Sequence, residues 1–212
     1  MNKSNRLEEA VALSMRFFYD KLIFPIGDSV TDGLTDETGG RGYPAILRNL
    51  LYLQTGNNWL ELPSRLCGGG WTVAYVKSVI DAQLATRSDT PHYVLIYLGA
   101  NDISSFETAQ EMIDEFDYGL YKTNLAYILD AVQAKWVDAK IYCGVDFWLD
   151  REPAITILEG LNAEVLAGRT NCFAGVDGNF MSGHPEWFVD AVHPNYAGFG
   201  QIANQWKVII GY

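Results

Sequence analysis

Six consecutive residues, Tyr93-Val94-Leu95-Ile96-Tyr97-Leu98, form an unbroken apolar run that stops at Gly99-Ala100-Asn101-Asp102. A stretch this short and this uniformly apolar leaves no face for solvent. It reads as a strand covered on both sides, the environment of a parallel sheet. Three further short strands are expected at 22–26, 59–62 and 140–145. Between them, apolar spacing predicts helices over 43–53, 73–85, 109–135, 156–167 and 196–209, with Pro44 in a first turn and Thr72 as a cap. Leu7, Val11, Met15 and Phe18 predict one more, an amphipathic lead-in helix over 5–20. Strands alternating with helices imply an α/β chain with a parallel sheet between two helical layers. Such sheets collect their sites at the carboxyl ends of strands. Ser29, the triplet Gly68-Gly69-Gly70 and Asn101 each follow an expected strand.

No repeat, low-complexity tract or Ser/Pro linker divides the 212 residues, so one domain is expected over 1–212, with residues 1–20 as its extra N-terminal helix. A net charge of −11 argues against nucleic acid or an anionic membrane surface as partner, since phosphates call for Lys/Arg stripes. No apolar run approaches the ~20 residues of a membrane span. The first 21 residues carry acids inside their apolar stretch and lack a small-residue cleavage site, which makes a poor signal peptide and leads to a cytoplasmic expectation. Cys67, Cys143 and Cys172 form no CxxC pair and leave an odd thiol, so neither a disulfide framework nor a zinc site, nor any other metal or cofactor, is expected.

The chemistry-bearing residues cluster in four places. Gly27-Asp28-Ser29 places a hydroxyl at a strand-to-loop corner, and Asp190-Ala191-Val192-His193-Pro194 places a carboxylate three residues before an imidazole. A serine attacks at neutral pH only if a base takes its proton, and the base needs a partner to orient it. Ser29, His193 and Asp190 supply those three roles. A backbone N–H from the glycine triplet, at Gly69 or Gly70, and the side-chain amide of Asn101 could receive a developing oxyanion, with the Ser29 N–H as a third donor.

Bland readings stand beside these. Gly-Asp-Ser is a common turn, and Asp28 is expected to brace it through backbone N–H groups. Thr31 stands where a G-x-S-x-G elbow needs its second glycine. Gly40-x-Gly42-x-x-Ala45 follows a polar loop rather than a strand and is discounted as a dinucleotide fingerprint. His92 opens a strand and is expected to be structural. His184 stands near Trp187 as a competing base but has no Asp three residues earlier. Asp146, Phe147 and Trp148 are expected to line a cleft. Of the six tryptophans, Trp71 and Trp148 are placed near substrate, while Trp136 and Trp206 are assigned to packing.

Together, Gly27-Asp28-Ser29-Val30-Thr31-Asp32-Gly33, Gly70-Trp71-Thr72, Gly99-Ala100-Asn101-Asp102 and Asp190-Ala191-Val192-His193-Pro194-Asn195 resemble the four blocks of the SGNH (GDSL-type) hydrolases, in that family's order from about Leu22 to the end of the chain. The second block departs from the family in lacking an Asn before its glycine, and the position of Thr72 aligns Gly70 with the family glycine. The resemblance implies a flavodoxin-like α/β/α sandwich of about five parallel strands. It also implies a serine ester hydrolase working through an acyl-enzyme, with Ser29, Asp190 and His193 as the triad and Ser29, Gly70 and Asn101 as the oxyanion hole. Short acyl esters, with acetyl groups on small molecules or carbohydrate foremost, are the expected substrates. A longer-chain lipase or thioesterase-like activity, and a non-catalytic carbohydrate-binding module on the same fold, are the alternatives.

Overall fold

The computed structural model describes residues 20–212 apart from Gly40 and residues 62–64. The helix expected over 5–20 lies outside the described residues but for Asp20, and so does Leu62. Strand β1 (Lys21–Gly27) is the axis of the sheet. On one side it pairs with β2 (Trp59–Glu61) and, further along the same edge, β3 (Leu66–Cys67); on the other it pairs with β4 (Tyr93–Tyr97). Beyond β4 come β5 (Lys140–Val145) and β6 (Cys172–Asp177), and every pairing is parallel. Counting β2 and β3 as one position, the order is 2-1-3-4-5, the flavodoxin-like arrangement. All five residues of β4 are buried, as its apolar run requires.

Among the described residues seven α-helices accompany the sheet: α1 (Ser29–Asp32), α2 (Gly42–Thr55), α3 (Val73–Ala85), α4 (Ala109–Glu115), α5 (Tyr118–Lys135), α6 (Glu152–Leu166) and α7 (Tyr196–Ile209). α2 packs on α7, whereas α3, α5 and α6 pack in succession, which builds the two outer layers. Trp206 of α7 is fully buried, stacked on Tyr43 of α2 at 6.2 Å and edge-on to Tyr97 of β4 at 5.8 Å. Each such aromatic pair adds about 1 kcal/mol beyond its area burial. Trp136 is likewise buried, its indole N–H donating to the Asp89 carbonyl at 2.8 Å, so both tryptophans assigned to packing do pack.

Three expectations need correction. The helix expected over 109–135 is two helices: Phe116 turns extended, and the Asp117 carboxylate accepts from the Leu120 N–H at 2.8 Å to start a new one. Phe116 turns inward among Phe106, Tyr118 and Tyr121, and that packing outweighs helix continuity. Next, α6 starts at Glu152 rather than 156, with Pro153 in its first turn. Finally, β6 has no counterpart among the strands read from the residues. It is an edge strand whose burial is intermittent, and its Gly175 packs directly on Gly144 of β5. A methyl at Gly144 would strike the Val176 carbonyl, and one at Gly175 would lie 2.7 Å from the Trp206 ring.

A cavity of about 150 Å³ lies between α6 and the β5–β6 edge, lined in part by Glu159, Asn162 and Asp177. Burial, then the hydrogen bond and charge of Asp177, push the Glu159 carboxyl up to about 8.

Two outcomes follow. Gly144→Ala should cost roughly 2 kcal/mol, read as a lower urea midpoint at unchanged m-value, because the β5–β6 backbone contact has no room to relax. Glu159 starts from 4.5 unfolded and is held near 8 folded, so the native state binds the extra proton between those values. Stability should therefore fall as pH rises from 4.5 to about 8, and Glu159→Gln should flatten that slope in urea titrations across the range.

Candidate active site

At the end of β1 the chain turns hard onto β4. A side chain at Gly27 would collide with Thr31 and stand 2.8 Å from the Tyr97 carbonyl. Asp28 then caps the one-turn helix α1, its Oδ1 accepting from the Val30 N–H at 2.9 Å, as the bracing role requires. The helix closes at Gly33, which adopts φ 77° and donates its N–H to the Ser29 carbonyl at 3.0 Å. Ser29 is thus the first residue of a helix rather than the tip of a simple turn. Arg65, paired with Glu61, donates to the carbonyls of Thr31 at 2.6 Å and Asp32 at 3.3 Å, which steadies the far end of the same turn.

The distant Asp190–His193 segment arrives on a loop pinned at several points. Phe188 and Pro194 form an antiparallel bridge, the Val189 N–H donates to the His193 carbonyl at 2.9 Å, and the Leu149 N–H donates to the Ala191 carbonyl at 2.8 Å. The Thr35 hydroxyl donates to the Pro194 carbonyl at 2.7 Å, joining this loop to the one that follows Ser29. Asn195 caps α7 through the Gly198 N–H at 3.1 Å.

These supports bring the three residues together. His193 Nε2 lies 3.0 Å from Ser29 Oγ, and His193 Nδ1 lies 2.8 Å from Asp190 Oδ2. Asp190 Oδ1 accepts from the N–H groups of Val192 and His193, each at 2.8 Å. Partial burial works against the Asp190 charge, but the His193 amide and imidazole and the Val192 amide together hold its carboxyl below its ordinary range. An ionised carboxylate only accepts, so Nδ1 carries the hydrogen and the Nε2 lone pair faces the serine hydroxyl. Ser29 is 3% exposed, whereas the His193 side chain is 23% exposed, so the pair meets solvent from the histidine side.

The third wall comes from the end of β4. Gly99 takes φ 139° and leads into a 3₁₀ turn, Ala100–Ile103. Asn101 Nδ2 donates to Asp28 Oδ2 at 2.7 Å and to the Trp71 carbonyl at 3.2 Å. Gly70, the neighbour of Trp71, is exposed at φ 73° in a turn closed by the Trp71 N–H and the Gly68 carbonyl at 3.3 Å. Asp102 accepts the Val73 N–H at the start of α3, where Thr72 takes the Tyr75 N–H as expected. Burial pushes the Asp102 carboxyl up to about 7.

Trp71 is half-buried against Tyr75, with ring centroids 4.8 Å apart, and Trp148 is half-buried with the Arg151 guanidinium 5.8 Å from its ring. Asp146 and Phe147, expected to line a cleft, are instead buried at 0% and 2% exposure, and Asp146 Oδ1 accepts the Ala100 N–H at 2.8 Å. Short residues at strand ends point to a cleft by default; here the chain dives beneath the site before emerging at Trp148. Sequence gave Asp102 no role of its own and gave Asp146 a place in the cleft that its burial rules out. Their partners are backbone amides of other loops, which no local pattern announces. His92 is structural: its Nδ1 accepts the Leu22 N–H at 3.1 Å, and its own backbone groups join β1 and β5. His184 stacks on Trp187 at 3.8 Å and bonds Glu186 at 2.9 Å.

Among the described residues no group of three or more His, Cys, Asp or Glu could hold a metal ion, and no helix is long and apolar enough to cross a membrane. Comparison with curated proteins returns no match. Solved structures share the fold at low identity. A family 3 carbohydrate esterase from Clostridium thermocellum superposes with TM-score 0.67 at 20% identity, covering 89% of this chain and 94% of its own. LAE5, an alpha/beta hydrolase enzyme from the metagenome of Lake Arreo, Spain, gives 0.70 at 21% identity, with coverages of 93% and 98%. A catalytic mutant of Axe2, an acetylxylan esterase from Geobacillus stearothermophilus, gives 0.66 at 18% identity, with coverages of 92% and 95%. At the level of sequence, residues 26–200 match the model of the GDSL-like lipase/acylhydrolase family, a span running from the end of β1 into α7. The chain therefore belongs to the GDSL-like lipase/acylhydrolase family and is a carboxylic ester hydrolase of the SGNH type.

Proposed function

We propose that this chain hydrolyses short acyl esters through an acyl-enzyme on Ser29, with His193 as general base and Asp190 as its orienter. The observation that carries this reading is the unbroken hydrogen-bond chain from Ser29 Oγ through the His193 imidazole to Asp190. Ser29 Oγ attacks the ester carbonyl carbon while Nε2 takes its proton. Asp190, kept ionised by three donors, stabilises the resulting imidazolium. The carbonyl oxygen becomes an oxyanion received by the N–H groups of Ser29 and Gly70 and by the Asn101 amide, donors worth about 3 kcal/mol each. Asn101 is held chiefly by Asp28 at 2.7 Å, and its longer contact with the Trp71 carbonyl is the one an oxyanion would replace. As the tetrahedral species collapses, the imidazolium gives its proton to the departing alcohol. Water then loses a proton to Nε2, attacks the acyl-serine carbonyl, and Ser29 regains its hydrogen.

The acetyl-carbohydrate preference is supported by the likeness to a carbohydrate esterase and an acetylxylan esterase, and by Trp71 and Trp148, half-buried rings on loops that follow β3 and β5.

Ser29→Ala, with its circular dichroism unchanged, should lose at least ~10⁴-fold in turnover of p-nitrophenyl acetate and all labelling by a fluorophosphonate. Turnover surviving in that variant would sink the nucleophile assignment, and an unlabelled wild-type protein would favour a binding module instead. Across p-nitrophenyl esters, kcat/KM should peak at two to four carbons. A peak at about eight carbons or more, where each buried CH2 adds ~0.8 kcal/mol, would favour a lipase-like or thioesterase-like activity.

A further inference from the structure

Two carboxyl groups lie completely buried beneath Ser29: Asp28, from the end of β1, and Asp146, from the end of β5. Asp28 spends one oxygen on the Val30 N–H at 2.9 Å and the other on the Asn101 amide at 2.7 Å. Asp146 spends Oδ1 on the Ala100 N–H at 2.8 Å, while its Oδ2 is buried with no N–H or hydroxyl group donating to it among the described residues. Asp28 and Asp146 thus grip the adjacent residues Asn101 and Ala100, which sets the two buried carboxyls side by side, each within reach of the other's charge. An ionised Asp146 would leave that buried oxygen uncompensated beside a second carboxylate, whereas a hydrogen on it would have Asp28 as its acceptor.

We propose that Asp28 and Asp146 share one proton and, as a singly charged pair, act as positioning residues that hold the Ala100–Asn101 turn against the nucleophile helix. The proposal rests on reading Asn101 as an oxyanion donor. Without the shared hydrogen, two like charges would face each other in a dry site, and the carboxyls would separate or draw in water. With it, one hydrogen-bonded path runs from the Val30 N–H through Asp28 to Asn101, and through Asp146 to Ala100. The position of the oxyanion donor relative to Ser29 is thereby set from below. Burial pushes both carboxyls above their ordinary range, and the neighbouring charge and hydrogen bond push Asp28 further. The titratable groups facing the pair are Tyr43 of α2, Tyr97 of β4, Asp102 of the 3₁₀ turn, Tyr121 of α5 and His193. His193 becomes cationic as Ser29 attacks, and a single anion below it suits that charge.

The sign of the pH effect follows. The pair works while it keeps its one proton and fails as pH rises past the point where that proton leaves, giving kcat a loss at alkaline pH with little change in KM. Asp146→Asn keeps an oxygen for the Ala100 N–H and offers Asp28 a hydrogen that does not titrate. It should lower neutral-pH kcat by less than about 10-fold and abolish the alkaline loss, whereas Asp146→Ala should lower kcat about 100-fold, as expected for a displaced oxyanion donor. An alkaline loss of kcat that persists unchanged in Asp146→Asn overturns the proposal. A second measurement needs neither turnover nor that variant. In the full chain carrying Asp102→Asn and Glu159→Gln, which removes the two other carboxyls pushed toward neutrality, infrared spectra with ¹³C-labelled aspartate should show a neutral carboxyl at about pH 8. Absence of that band overturns the shared proton. Because the band does not depend on catalysis, it keeps this test distinct from failure of the Ser29 assignment.

Discussion

Parallel pairing sends all the strands the same way, and the site is built on that constraint. Ser29 follows β1, Asn101 follows β4 and Asp146 follows β5, so three loops distant in sequence open at one edge of the sheet. β1 and β4 lie side by side where the strand order reverses, which leaves a crevice above their ends. Asp28 turns that crevice into a fixed geometry. One carboxyl group caps the helix that begins at Ser29 and holds the amide of the neighbouring loop.

The histidine reaches the crevice by another route. Its loop leaves no strand of its own but is held by the Thr35 hydroxyl, the Leu149 amide and a bridge between Phe188 and Pro194. The first two contacts join it to distant parts of the chain and the bridge closes the loop on itself, so the 3.0 Å approach of Nε2 to Ser29 Oγ is set by the sum of these supports. Polar groups around the site divide into two kinds. Asp190 is near solvent, bound by three donors that hold its carboxyl below its ordinary range. Asp28 and Asp146 are buried and Asp102 is half-buried; all three are pushed toward neutrality, and they serve backbone amides and the Asn101 side chain.

Much of the fold was legible because its signals are local. The apolar run 93–98 became β4, the Thr72 cap opened α3 at Val73, and α7 begins at Tyr196 behind its Asn195 cap. Where packing competes with local preference, the reading failed. Phe116 breaks a helix because its ring finds an aromatic pocket, and β6 exists because Gly144 and Gly175 allow two backbones to close up. Asp146 looked like a cleft residue for the same reason: burial is a property of what covers a residue, which its own neighbours in sequence do not encode.

Residue types, their order and their spacing, read without a structure, determined the α/β class, most element boundaries and the set of side chains capable of ester chemistry. Asp190 and His193 are three residues apart, so their contact is within the reach of local geometry. The meeting of Ser29 with His193 spans 164 residues, and the contact of Asp28 with Asn101 spans 73. Only the tertiary structure decided those distances, and with them the burial of Asp28 and Asp146. Long-range approach depends on the order of strands in the sheet and on the closure of three loops over it, neither of which any single segment of the chain specifies.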